Sequence, residues 1–532
     1  MTVENKSLMD RFPIGHPEGL VQIAGGLRRN AIRFGRKDAY ICGEIRLSWQ
    51  DADEASDRLA YQLRRLGVRR RDHVAILGNN SPAFVLVTYA IFKLGATCVI
   101  LNASLRGSHL SGQLNHAEVT AVVSGDGLQS AIEEVRKDLN VSLLLTWDSA
   151  DRTDGVVNLA SEITDRRNAE PFPIEAVEPD DIGCLIFSSG TTGTPKGAVN
   201  TYWNLHAKHM SLAMSQELKQ TDVGLIATPI CMGGTQLMSI NPYVMLGIPA
   251  VIMPEFDAGE ALRLIEAEHV TTTFCVPTMI IAMVGHPDYP KRDLSSLKRL
   301  ISAGSPLPLE IYSCLRERGI GVMECYGTSE TGGGVMISSE EKERNPGSVG
   351  RSMVGFEVRL VDEDNRPVAD GEVGEFAIRG DPVARGYYKQ PEIEAEIYVD
   401  GWFHTGDLGR RDDNGFFYVV DRKKDMVKSG GLNVFPNDIE NALYQLPGVA
   451  ECAVVGLPHR YWGEAVTAFI AKKADSQLDD ATVLKRLGET LANYQIPKAV
   501  VFVDSLPKTI FGKVTKLDLR EQYAEFYKNR DT

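Results

Sequence analysis

The sequence predicts an α/β protein: a large N-terminal region of stacked α/β layers carrying a small β-rich subdomain, followed by a smaller α+β domain. Three observations predict this. Helix-period segments alternate with short apolar runs as far as about residue 350. From Val358 the texture changes to short strands punctuated by the turn signals Asp364-Asn365, Asp370-Gly371 and Asp413-Asn414-Gly415. Beyond the charged run at 421–425 a fresh α+β pattern begins. The resulting division is a large domain over 1–422, with its β-rich part from about residue 351, and a small domain over 423–532. A chain of 532 residues exceeds one ordinary core, and its length fits about two to four domains or subdomains.

In chain order, SWQDADEASDRLAYQLRRLG sets Ala55, Leu59, Leu63 and Leu66 at helical spacing, with Gly67 as the cap. His73 to Leu77 reads as a buried strand, 83–94 as a second helix and 96–101 as another strand. Arg69-Arg70-Arg71 between them reads as a solvated loop. The apolar run Cys184-Leu185-Ile186-Phe187 precedes a glycine-rich loop, and a helical segment follows over 202–214. Runs at 223–229, 249–253, 271–276 and 300–302 are strand-like, with a helix over 259–268. The last domain shows a helix over 436–444, strands near 450–455 and 465–471, a helix over 481–491 and a final glycine turn.

Apolar residues make up 43% of the chain and charged residues 24%, which excludes disorder and a coiled coil. The net charge of -14 argues against a nucleic-acid-binding surface, while a local lysine cluster still permits anionic ligands. Eight cysteines without a C-x-x-C pair read as buried free thiols of a reducing cytoplasm. The start MTVENKSLMDRF lacks an apolar signal region, and the most apolar window, 83–101, contains Lys93 and Gly95, so neither a signal peptide nor a membrane span is expected.

The stretch 188–197, SSGTTGTPKG, organises the rest. Ser188, Ser189, Gly190, Thr191, Thr192, Gly193 and Thr194 make a flexible run of small donors whose backbone N–H groups can wrap polyphosphate oxygens, and Lys196 supplies positive charge. It is not a P-loop of the GxxxxGK[ST] kind, because Pro195 precedes the lysine and Gly197 follows it.

This loop, then YGTSETG at 326–332, GWFHTGDLG at 401–409, DRKKDMVKSGG at 421–431 and PKTIFGKVTK at 507–516, resembles in order and spacing the adenylate-forming superfamily. That superfamily contains acyl- and aryl-CoA ligases, the adenylation domains of peptide synthetases and firefly luciferase. The resemblance runs from about residue 20 to about residue 520. It implies a two-step reaction using ATP, Mg²⁺ and coenzyme A: a carboxylate attacks the α-phosphate to give an acyl-adenylate, and a thiol then displaces AMP. It also implies roles. Glu330 would hold Mg²⁺ and Ser329 the α-phosphate; Tyr326, Gly327, Ala303, Gly304 and Ser305 would form the adenine slot. Asp407 and Arg422 would take the ribose. Lys513 would bridge the α-phosphate and the carboxylate during adenylation, and Lys424 would be the hinge about which the small domain turns. After that turn Lys428, Ser429, Gly430 and Gly431 would face the nucleotide and leave a passage for pantetheine.

Coenzyme A is the expected thiol because the chain ends soon after PKTIFGKVTK, although free-standing enzymes that load a carrier protein also end there. Acetate and propionate ligases of the superfamily have tryptophan where this chain has Gly327. Gly332 and Gly333 add room, and Cys231, Met232 and Gly233 stand where a gating histidine is common. The implied acid is larger than propionate: medium-chain, alicyclic or aromatic. A luciferase-like oxygenase and a non-catalytic nucleotide-binding protein are the other readings; retention of Lys513, Glu330 and Asp407 together speaks against the latter. The expected partners are an acid, ATP and CoA, with no nucleic acid and no integral membrane segment; a homodimer is compatible with all of this.

Overall fold

The computed structural model describes residues 23–151, 153–165, 169–188, 195–474, 476–508 and 514–528. Two compact units emerge. The first gathers residues up to 344 with 352–357 and 379–398; the second gathers 345–351, 358–378 and 399 onward.

The first unit is built on two sheets. In one, strands His73–Leu77, Thr97–Ile100, Ala121–Ser124, Leu143–Thr146, Val156–Asn158 and Ile182–Ser188 run parallel, and Lys196–Thr201 closes the edge antiparallel to Ile182–Ser188. In the other, Asp38–Cys42, Ala250–Ile252, Gly224–Ile226, Thr272–Cys275, Arg299–Ala303 and Gly321–Gly327 are parallel, flanked by antiparallel Ile45–Ser48 and Gly334–Ile337. Parallel strands need helical crossovers that cover both faces, which is why their sequences are near-continuous apolar runs rather than alternating ones. The core of the first sheet joins Ala75, Val99 and Val122 to Leu110, Leu114 and Ile132 of the covering helices.

The helix Trp49–Arg65 shows how local sequence sets these elements. Ser48 accepts from the Asp51 N–H while Asp51 accepts from the Ser48 N–H, a reciprocal cap, and Ala55, Leu59 and Leu63 lie buried on one face. Leu66, expected on that stripe, is the C-cap instead, and Gly67 takes φ +105. A charged knot pins this helix to its neighbours. Lys93, fully buried at the end of Pro82–Lys93, donates to Asp53 and Asp57 Oδ1 at 2.6 Å each and to Ser56 at 2.7 Å, while Arg28 of Gly26–Phe34 donates to both Asp57 oxygens.

The arginine run at 69–71 is not merely solvated. Arg70 and Arg71 converge on Asp181, whose side chain is 3% exposed, at 2.6 Å each. Burial alone would raise the Asp181 carboxyl, but the Glu178 N–H and the two guanidiniums outweigh it and lower the pKa. These pairs fix the entry to the strand Ile182–Ser188, which leads into the glycine-rich loop.

The second unit holds two five-stranded sheets. Trp402–Arg411 pairs antiparallel with Val373–Arg379 and with Phe417–Arg422. In the other sheet Gly463–Lys472 pairs with Val449–His459, Val427–Ser429 and Ala499–Val503, with Leu432–Val434 at the edge. Helices Pro436–Tyr444 and Asp480–Gly488 cover it around Val454, Val466, Ile439 and Leu487. The expected boundary at 422/423 falls where the chain passes between these sheets. Compactness nevertheless groups the β-rich segment with the C-terminal part, because Asp421 accepts from the Asn437 N–H and Arg520 donates to the carbonyls of Lys424 and Asp425.

All eight cysteines are unpaired and six are buried. Among the described residues, no helix is long and apolar enough to cross a membrane.

Candidate active site

In open α/β sheets ligands gather beyond the carboxyl ends of parallel strands, and the sequence-selected residues of the first unit stand there. Ala303 is in register with Cys325, so the turn at Gly304 (φ +96) and Ser305 emerges beside Tyr326. The strand carrying Tyr326 runs out into a tight loop in which the Gly332 N–H donates to the Thr328 carbonyl and the Thr328 N–H to the Thr331 hydroxyl. Ser329 and Glu330 lie within that loop.

Glu330 is 6% exposed and held from several sides. The Tyr387 hydroxyl donates to its Oε1 at 2.5 Å; its backbone carbonyl accepts from the Ala384 N–H and from Lys208 Nζ, both at 2.9 Å. Lys208, fully buried, also donates to Asn200. Burial pushes this ammonium down to about 7 against the pull of Glu330. Burial and the Glu330 carboxylate raise the Tyr387 phenol well above its ordinary range, and burial raises Tyr398, which donates to the Ala384 carbonyl at 2.6 Å. Among the described residues no three His, Cys, Asp or Glu side chains gather as a metal cluster. A single hard carboxylate with one oxygen held by a phenol fits Mg²⁺, which takes few protein ligands and completes its shell with phosphate and water oxygens.

The strand Ile182–Ser188 returns as Lys196–Thr201, and Ser188 and Lys196 are register partners across the loop's mouth. Ser189, Gly190, Thr191, Thr192, Gly193 and Thr194 lie outside the described residues. Lys196 Nζ stands 5.9 Å from the centre of the Tyr387 ring.

Of the expected acid pocket, Cys231 is buried and its thiol is raised by that burial, whereas Met232 is 40% exposed. A Cβ at Gly332 (φ +66) would meet Leu237 and the Lys208 stem. Leu237 belongs to a π-helical turn, Gln236–Ile240, a rare form common at functional sites. Gln236 is buried there, and its amide atoms have no hydrogen-bond partner among the described residues. Gly233 and Gly327 have packing reasons to be glycine: a Cβ at 233 would fall 2.3 Å from Ile186, and one at 327 would fall 2.6 Å from the Gly333 Cα. The absence of a large side chain at 327 is thus demanded by backbone contact, whatever the substrate's size.

In the second unit Asp407 and Arg422 are register partners, with Arg422 Nε 3.4 Å from Asp407 Oδ1 and Asp407 only 8% exposed. Carboxylate and guanidinium side by side can accept from and donate to vicinal hydroxyls. Lys424 is in the turn after them; Lys423 donates to Glu375 at 2.8 Å on one side and Arg520 holds the Lys424 carbonyl on the other. Gly430 (φ +57) and Gly431 (φ +82) form the two-residue hairpin turn between Val427–Ser429 and Leu432–Val434, a geometry that requires positive φ at both positions. Lys513 lies outside the described residues; its flanks Lys508 and Val514 are bridged.

Sequence reasoning missed Lys208, Tyr387 and Tyr398. A lysine on the buried face of Tyr202–Ser215, between Leu205 and Leu212, was the one available signal; the tyrosines offered none.

The first unit carries a carboxylate and a buried lysine near its strand ends, and the second holds the Asp407–Arg422 pair. Family comparisons identify the class of protein. The AMP-binding enzyme model matches residues 27–388 and the model of the AMP-binding enzyme C-terminal domain matches 438–513. The chain is 35% identical over 483 residues to feruloyl-CoA synthase of an Amycolatopsis species, covering 91% of this chain and 95% of that one. It is 32% identical over 504 residues to the long-chain-fatty-acid–CoA ligase FadD13 of Mycobacterium tuberculosis, covering 94% and 98%. ATP-bound MatB from Rhodopseudomonas palustris superposes with a TM-score of 0.85 at 28% identity, covering 95% of this chain and 99% of that chain. The chain belongs to the AMP-binding enzyme family, the adenylate-forming superfamily, and within it to the acyl-CoA synthetase branch.

Proposed function

We propose that the protein joins a carboxylic acid larger than propionate to coenzyme A at the expense of ATP, acting in the cytoplasm. The observation that carries the reading is Glu330, buried at the strand ends with its carboxylate and carbonyl both fixed, in one unit with Lys196. In the first step a carboxylate oxygen of the acid bonds to the α-phosphorus of ATP, and the bond from that phosphorus to the β-phosphate's bridging oxygen breaks, releasing pyrophosphate. In the second, the thiol sulfur of CoA bonds to the acyl carbon, its proton leaves, and the acyl–oxygen bond breaks to release AMP.

The roles are those that the likeness to the superfamily implies. Lys196 and the loop hydroxyls bind the triphosphate; Tyr326 and 303–305 take the adenine; Asp407 and Arg422 orient the ribose. Glu330 would hold Mg²⁺, which when bound neutralises phosphate charge. Lys513 meets the charge that develops as the carboxylate attacks, stabilising the transition state more than the ground state. Lys424 is the hinge that exchanges Lys513 for the 428–431 hairpin before the thiol enters. The eight unpaired thiols favour the reducing compartment.

For the acid, we favour aromatic, alicyclic or medium-chain species. The relatives span feruloyl, indoleacetate and fatty-acid ligases, and the exposed Met232 offers an adaptable apolar surface. The test is a panel of acids assayed for AMP release with and without CoA. Release that needs a large acid and CoA together supports the reading. Acetate as best substrate would overturn the size assignment, and acyl transfer to a phosphopantetheinylated carrier but not to CoA would overturn the choice of thiol.

A further inference from the structure

The segment 384–390 is hydrogen-bonded along both of its sides. On one side it adds to the strand that leaves the glycine-rich loop: the Arg385 N–H donates to the Val199 carbonyl, the Val199 N–H to Gly386 and the Tyr388 N–H to Gly197, each at 2.9 Å. Gln390 Nε2 reaches the Pro195 carbonyl at 3.1 Å, at the very end of the loop. On the other side the Ala384 N–H donates to the Glu330 carbonyl, and the Tyr387 hydroxyl donates to Glu330 Oε1. The Tyr387 ring meanwhile lies under Lys196. One short strap therefore runs from the loop lysine to the acidic residue: Tyr387 donates to Glu330, and its ring centre lies 5.9 Å from Lys196 Nζ.

We propose that Tyr387 is a positioning residue for the metal: it holds Glu330 Oε1 so that Oε2 stays available to the cation. A buried carboxylate with both oxygens unrestrained can rotate about its last torsion, so that each binding event must freeze it. A phenol donating to one oxygen removes that freedom beforehand, and partners of this kind commonly alter metal affinity by about 10–100-fold. The donor is neutral, so it orients the carboxylate without cancelling the charge the cation needs. The inference rests on the assignment of Glu330 to Mg²⁺ and adds the residue that makes that assignment work.

The test is Tyr387→Phe in the full chain, which deletes one oxygen and keeps the ring beneath Lys196. ATP binding is measured by calorimetry at stepped Mg²⁺, and bound Mn²⁺ is counted by electron paramagnetic resonance in the presence of ATP. We expect the half-saturating metal concentration to rise about tenfold, with AMP affinity in chelator and the melting temperature unchanged. In a Glu330→Gln background the same substitution should change Mn²⁺ occupancy no further, because the group being oriented is gone. An unaltered metal requirement in Tyr387→Phe, or an undiminished effect in the Glu330→Gln background, overturns the proposal alone. Metal-independent ATP binding by the parent chain would overturn the Glu330 assignment and the proposal with it.

Discussion

Lys513 is the residue on which the proposed chemistry turns. Lys513→Ala should slow pyrophosphate exchange by at least about 10²-fold, the usual loss for one transition-state donor, while thioester formation from pre-made acyl-AMP survives; near-normal exchange would remove it from the mechanism. Arg70 makes a different claim. The carboxyl of Asp181 is lowered, so its contribution to stability is present above the unfolded-state pKa and lost as pH falls through the folded one. Arg70→Ala should cost roughly 1–3 kcal/mol near neutrality, and denaturant titrations should find the gap from the parent closing under strongly acidic conditions. A gap that stays constant would show that Arg70 contributes packing rather than charge. Glu330, Asp407 and Arg422 were singled out in the sequence because each sits inside a spaced motif, and the structure places Asp407 beside Arg422. Tyr387 was not singled out: its partner is 57 positions away, and a tyrosine after a glycine carries no pattern of its own. The arginine run was misjudged for the same reason, since Asp181 lies 111 residues beyond Arg70.

Elements were read more securely than contacts. Buried stripes and runs set the helix Pro436–Tyr444 and the strand His73–Leu77 at the expected residues, since period and burial are local properties of the chain. Helix ends shifted where caps decided them, as at Leu66. The knot around Lys93 shows what periodicity hides, because a lysine closing an apolar helix looks like a solvated end. Lys93→Met should cost about 3–5 kcal/mol by leaving Asp53 and Asp57 buried without their cation; a chemical-denaturation midpoint close to the parent's would show that Arg28 alone suffices.

For the molecule as a whole, the proposed mechanism would use two settings of the C-terminal part, one for each half-reaction. The turn at Lys424 is the proposed pivot, sitting where one sheet of the second unit gives way to the other. Lys424→Pro fixes one backbone torsion there, so we expect adenylation to persist and thioester formation to collapse; equal loss of both steps would argue that the turn serves folding instead. The border expected at 422/423 was drawn from a change of texture in the sequence. The grouping by compactness was not legible there, because side-chain anchors such as Asp421 to Asn437 join segments whose sequences look unrelated. The contact between Gly327 and Gly333 carries a historical corollary. A Cβ at the former would press on the main chain of the latter at 2.6 Å, so no one-codon route leads from this enzyme to a small-acid specialist with a bulky plug at 327. A lineage acquiring such a plug would have to remodel the facing loop in the same episode.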